Sequence, residues 1–120
     1  MSNTSLVKRL LHAEGLGLLL IAVLGYAWQG FSWWQFGLAL FVPDMVMLGY
    51  LWGPKVGSLC YNFGHITLWP LSFLALGVLN DWPVGLQIGL IWLAHIGLDR
   101  MLGYGLKYPT QFKDTHLGRV

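Results

Sequence analysis

Six residues that can carry charge stand inside or at the edge of long apolar runs: Glu14, Asp44, His65, His95, Asp99 and Arg100. Charge in hydrocarbon is costly and survives where a protein interior or a cavity receives it. Carboxylates and imidazoles in a partly dry cavity suit general acid–base chemistry. In that reading Asp44 or Glu14 is the acid, and His65 or the His95–Asp99 pair is the base. The same residues offer oxygen and nitrogen ligands to a divalent metal such as zinc, manganese or iron, with His65, His95, Asp44 and Asp99 as candidate ligands. The set spans several helices, as in carboxylate-bridged di-metal bundles, but the Glu-x-x-His motif of those proteins is absent.

Spacing brings these groups toward one another. His95 and Asp99 are four apart, on one face of a helix. Ser58, Tyr61, Asn62, His65, Trp69 and Ser72 recur every three or four residues and form a polar stripe that must turn away from lipid. Asp44 follows Pro43, which cannot donate to the carbonyl of Ala39, so a kink there leaves a free acceptor beside the acid. Pro70 similarly frees the carbonyl of Ile66, next to His65. Tyr61, Asn62, Trp69, Arg100, Lys107 and His116 are the candidate substrate-binding residues, with Arg100 and Lys107 suited to an anionic head group.

The elements that position this chemistry follow from composition. The chain has 120 residues, 56% hydrophobic and only 10% charged, with a net charge of +2. Mean hydropathy is +0.59. Soluble domains carry roughly a quarter charged residues, so the deficit points to the bilayer. The small net charge, with no basic cluster among exposed aromatics, excludes nucleic acid as a partner. Cys60 is the only cysteine and reads as a packing residue. The first apolar run holds Glu14 and lacks a signal-peptide cleavage site, so it reads as a span rather than a leader.

Four runs reach the roughly 20 residues that a membrane helix needs. They extend approximately over 6–28, 33–52, 56–79 and 83–104, followed by a polar tail over 105–120, all in one integral membrane domain. Ser32 with Gln35 forms a capping box for the second run. Gly53-Pro54 separates the second from the third. Asn80-Asp81 ends the third and caps the fourth, and Pro83 sits in a first turn where its missing N–H costs nothing. Short connections make neighbours antiparallel. The expected fold is an all-α, four-helix transmembrane bundle. Every Lys and Arg then falls on one side, while Trp28, Trp33, Trp34 and Trp82 mark the other, so both termini are expected in the cytoplasm. In this arrangement Glu14, Asp44, His65, His95 and Asp99 lie at a common depth, about 8–14 Å below the cytoplasmic end at 1.5 Å per residue. No comparable ionisable set stands in the outer half. The tail, with Lys107 and His116, reads as an interfacial segment or a lid over the cytoplasmic mouth. Gly85 and Gly89 form a GxxxG suited to close packing within the bundle or to a homodimer.

The runs PDMVMLGYLWGPKVGSLCYNFGH and LIWLAHIGLDRMLGYGLKYPTQFKDTHLG resemble a family of small bacterial membrane proteins, domain of unknown function 4260. The resemblance rests on Pro43-Asp44, Gly49-Tyr50, Gly53-Pro54, Tyr61-Asn62, His65, His95, Asp99-Arg100 and the 103–108 and 115–118 stretches, and it covers nearly the whole chain. It implies a compact multi-span protein of the bacterial cytoplasmic membrane.

Three classes of function fit the residues. The first is a membrane enzyme, acid–base or metal-assisted, that isomerises, cyclises or hydrolyses an amphiphilic lipid or isoprenoid-like substrate entering from the inner leaflet. The second is a small proton- or ion-coupled transporter, because intramembrane acids and histidines also relay protons. The third is a haem protein with His65 and His95 as axial ligands.

Overall fold

The computed structural model describes residues 3–103. Lys107, His116 and the rest of the tail, for which an interfacial or lid role was expected, lie outside the described residues. Among the described residues the chain is helical, with no strand. Helix α1 spans Asn3–Gln29, α2 spans Trp33–Ala39, a 3₁₀ segment spans Val42–Trp52, α3 spans Pro54–His65, α4 spans Leu68–Leu79 and α5 spans Pro83–Leu102. These pieces make four long helical runs. Three of the runs, Leu6–Gln29, Trp33–Trp52 and Pro54–Leu79, are long and apolar enough to cross a membrane. The fourth, α5, carries Gln87, His95, Asp99 and Arg100, and much of its length is buried, from Gly85 to Gly97.

Two of the expected continuous helices are interrupted, each beside a proline. The second run starts as α-helix and continues as a 3₁₀ segment. Pro43 has no N–H to offer, and the Asp44 amide donates to the Phe41 carbonyl three residues back (3.0 Å). Three residues per turn puts every third side chain in line. Val42, Met45, Leu48 and Leu51 form that line and are 53–78% exposed, an apolar stripe for lipid. Asp44 lies off it. The third run is two helices rather than one kinked helix. Helix α3 ends at His65, Ile66 is extended (φ −86°, ψ 146°), and α4 restarts at Leu68. Pro70 therefore falls in the first turn of α4, where a missing N–H goes unmissed.

The contacts of glycine give the direction of packing. Gly15 lies against the Arg100–Met101 backbone, Gly97 against Leu19, and Gly25 against Leu90, so α1 and α5 run antiparallel. A Cβ on Gly97 would stand 2.5 Å from the Leu19 amide nitrogen and 2.8 Å from the Gly15 carbonyl. Glycine there lets the two backbones touch, the usual means of joining helices where lipid offers no hydrophobic drive. Ala22 and Ala94, both fully buried, continue the seam. Gly89 seats α5 on Pro70 and Leu74 of α4, and Gly85 accommodates the Trp82 ring, so both glycines of the GxxxG are used within the chain.

The capping box forms only by half. Ser32 Oγ accepts from the Gln35 amide at 3.4 Å, but the Gln35 side chain turns away to accept from Gln87. Gln87 also donates to the Tyr26 hydroxyl (3.0 Å), which in turn donates to the Ser32 carbonyl. The end of the bundle away from His95 and Asp99 thus holds a network of neutral polar groups, and no cluster of ionisable groups is found there among the described residues. Asp81 adopts a left-handed turn (φ 46°) and Trp82, not Asp81, precedes α5.

Candidate metal centre

Three elements supply four side chains to one point. Asp44 comes from the 3₁₀ segment, His65 from the last position of α3, and His95 with Asp99 from one face of α5. One ligand atom from each lies within 4.8 Å of all the others. The two Nε2 atoms are 3.0 Å apart. Asp44 Oδ1 is 3.4 Å from His65 Nε2 and 3.1 Å from His95 Nε2. Asp99 Oδ2 is 3.2 Å from each. The histidines are buried, the Asp99 side chain nearly so at 16% exposure, and Asp44 is open at 35%.

The surroundings fix the rings. His65 Nδ1 lies 2.8 Å from the Tyr61 carbonyl. That carbonyl can only accept, so Nδ1 carries the proton and a neutral His65 presents a bare lone pair at Nε2. The Tyr61 ring stacks on His65 with centroids 3.8 Å apart and planes at 6°. Its hydroxyl donates to Asp99 Oδ2 at 3.3 Å. Phe41 meets His95 edge-on. The Leu40 carbonyl, left without its 3₁₀ donor by Pro43, interacts with the His95 ring, although His95 Nδ1 has no partner at full hydrogen-bond geometry among the described residues. Trp92, one turn before His95, donates from Nε1 to the Gly64 carbonyl at 2.6 Å and ties α5 to the end of α3. Trp92 was not among the expected site residues. Its i−3 spacing from His95 was the available signal.

Two chemical constraints follow. Fully ionised, the two carboxylates would carry two negative charges. The imidazoles cannot both be protonated at Nε2, because two N–H groups would then face each other across 3.0 Å. One imidazolium leaves a net negative charge in a setting that penalises it. A dication with two neutral imidazoles closes the balance. The geometry agrees: a tetrahedral ion with ligand bonds of about 2.0–2.1 Å has ligand–ligand edges of about 3.3–3.4 Å. Five of the six edges here measure 3.0–3.4 Å.

Other expected site residues lie elsewhere. Glu14 is exposed on α1 and interacts electrostatically with Arg100, outside the four-residue group. Arg100 is half-buried on the α1 side. Trp69 packs on Phe63 at 5.0 Å, with its Nε1 buried and without a hydrogen-bond partner among the described residues. Ser72 Oγ donates to the Leu68 carbonyl of its own helix (2.7 Å). Asn62 is half-buried beside Tyr61. Axial haem ligation is not what His65 and His95 are built for. A haem iron needs its axial nitrogens about 4 Å apart, twice a metal–nitrogen bond of about 2.0 Å. Here they are 3.0 Å apart, with two carboxylates where the macrocycle would lie.

The fold and site define a small, membrane-helix-rich protein with a buried Asp/His group able to hold a metal ion. A sequence profile described as "Domain of unknown function (DUF4260)" matches residues 8–120, and the chain belongs to that family. No curated protein and no solved structure shows significant similarity to it.

Proposed function

We propose that Asp44, His65, His95 and Asp99 bind one divalent metal ion within the membrane, and that this centre belongs to an enzyme acting on an amphiphilic lipid or isoprenoid-like substrate. The observation that carries the reading is the set of five interatomic distances of 3.0–3.4 Å closing around one point. A bound ion of this kind polarises a carbonyl or phosphoryl oxygen, or lowers the pKa of water to about 7. The chain's own groups do the rest. Tyr61 orients Asp99 and His65, and outer-sphere partners of that sort hold ligands in place. Asp44, the most exposed of the four, is the ligand best able to swing aside and take up a proton from substrate. Both termini face the cytoplasm in this reading and the centre opens to the inner leaflet, consistent with the one-sided placement of Lys and Arg. The membrane is the bacterial cytoplasmic membrane.

The second reading, proton- or ion-coupled transport, gains support from the Tyr26–Gln87–Gln35 network in the outer half. It is the weaker of the two. Ala22, Leu90, Ile91, Leu93 and Ala94 form a buried apolar layer between that network and the centre, and apolar layers of this kind block protons and ions.

Elemental analysis of the purified full-length protein tests the metal. About one zinc, manganese or iron per chain is expected, reduced to background in His65→Ala and His95→Ala proteins that still fold as judged by far-ultraviolet circular dichroism. Metal-free wild-type protein that also takes up none on addition refutes the reading.

A further inference from the structure

A cavity of about 440 Å³ lies beside the centre, lined by Ala39, Val42 and Pro43 of the second run, Phe63 and Gly64 of α3, and residues of α5 that include Ile91 and Trp92. Its three walls are the same three elements that furnish the four candidate ligands. Each wall touches it just before its ligand: Pro43 precedes Asp44, Gly64 precedes His65, and Ile91 stands one helical turn before His95. At 1.5 Å per residue, that turn sets the cavity about 6 Å farther from the α5 C-terminus than the centre.

The lining is apolar, and its one indole N–H is already committed to the Gly64 carbonyl. These walls expose almost no polar surface. The floor, at Gly64 and Ile91, is buried. The rim residues Val42, Phe63 and Ile88 are exposed, on flanks that elsewhere present apolar side chains. The opening is thus sideways, toward hydrocarbon.

We propose that this cavity is the binding site for the hydrocarbon tail of a membrane amphiphile that enters laterally from the bilayer, with its polar head at the Asp44–His65–His95–Asp99 centre. This deepens the enzyme reading above and rests on it for the position of the head. Its place next to the polar centre, on the same three elements and lined by the chain neighbours of Asp44 and His65, is what separates it from an ordinary lipid-facing groove. Ala39 and Ile88 then act as determinants of tail size, because neither touches the centre.

The test uses the full-length protein in phosphatidylcholine vesicles and a diazirine-bearing palmitic acid as the photoreactive probe, with adducts mapped by mass spectrometry. Adducts are expected on the peptides carrying Phe63–Gly64 or Ile88–Trp92. They should fall about tenfold in Ala39→Phe, the loss expected when roughly two buried methylenes are displaced. Ile88→Trp fills the same space from the opposite wall and should act alike. Retained metal content in either variant shows that the fold persists. Adducts spread over outward positions such as Leu24, Leu38 and Leu59 would mean annular lipid only and overturn the proposal. So would confined labelling that neither filling substitution reduces. Confined, fill-sensitive labelling in protein that takes up no metal supports the tail site and sinks the metal reading alone.

Discussion

Replacing Asp99 with Asn should have an effect on stability that depends on metal. Asp99 Oδ2 stands 3.2 Å from both imidazole nitrogens and within 4.8 Å of the Asp44 carboxylate. Without an ion the two carboxylates repel each other. At 4.8 Å and an effective dielectric constant of about 20, the repulsion is about 3 kcal/mol. Uptake of a proton relieves part of it. Asparagine keeps the shape and still accepts from Tyr61, so chelator-treated Asp99→Asn protein should be more stable than chelator-treated wild type by up to that amount. With metal that advantage shrinks. An ion at 100 times its dissociation constant stabilises by about 2.7 kcal/mol. Loss of outer-sphere partners costs about 10–100-fold in affinity, and loss of a direct ligand should cost at least 100-fold. Metal then adds only about 0.4 kcal/mol to the variant. Thermal unfolding in detergent should show wild type gaining about 2.3 kcal/mol more than the variant when the chelator is replaced by metal. If Asp99→Asn is the less stable protein under both conditions, the cluster is a metal-independent ion pair and the reasoning fails.

Three further outcomes are expected. Tyr61→Phe keeps the stack on His65 but removes the hydrogen bond to Asp99, so a metal competition titration should show about 10–100-fold weaker binding with the fold intact. Gly97→Ala drives a methyl into the backbone of α1 and should cost about 1–3 kcal/mol in unfolding, the usual penalty of overpacking, with metal stoichiometry unchanged in the folded fraction. A cysteine at Asn62, in a Cys60→Ala background, should react with a small thiol reagent added from the cytoplasmic side and faster than one at Ser72. Equal reactivity from outside would favour a transmembrane pathway.

The meeting of Asp44, His65, His95 and Asp99 was legible because each is costly in hydrocarbon and because depth can be counted along a helix. Glu14 passed the same depth count and stands apart. Depth fixes height and leaves rotation open, and Glu14 turns toward Arg100. Pro43 and Pro70 marked both interruptions, but proline alone does not distinguish a kink from a full stop. At the first, the three-residue spacing of Val42, Met45, Leu48 and Leu51 was the clue to a tighter helix. At the second, the outcome depends on what α5 offers. The outer network escaped notice because Gln35, Gln87 and Tyr26 are neutral, and a search for charge passes over amides.

The stop between α3 and α4 has a consequence for assembly. Each half has 12 residues, about 18 Å of helix, too short to cross hydrocarbon about 30 Å thick. The halves must therefore enter the bilayer as a single continuous unit. Backbone freed at the stop has no water to turn to and must be met by protein, and the nearest such partner is Trp92 on the Gly64 carbonyl. Trp92 belongs to α5. The stop between α3 and α4 is thus matched by a donor from α5, the helix that also brings His95 to His65. Only Asp44 and His65 of the four candidate ligands stand outside α5, so a bundle without α5 in place presents no formed site to scavenge metal.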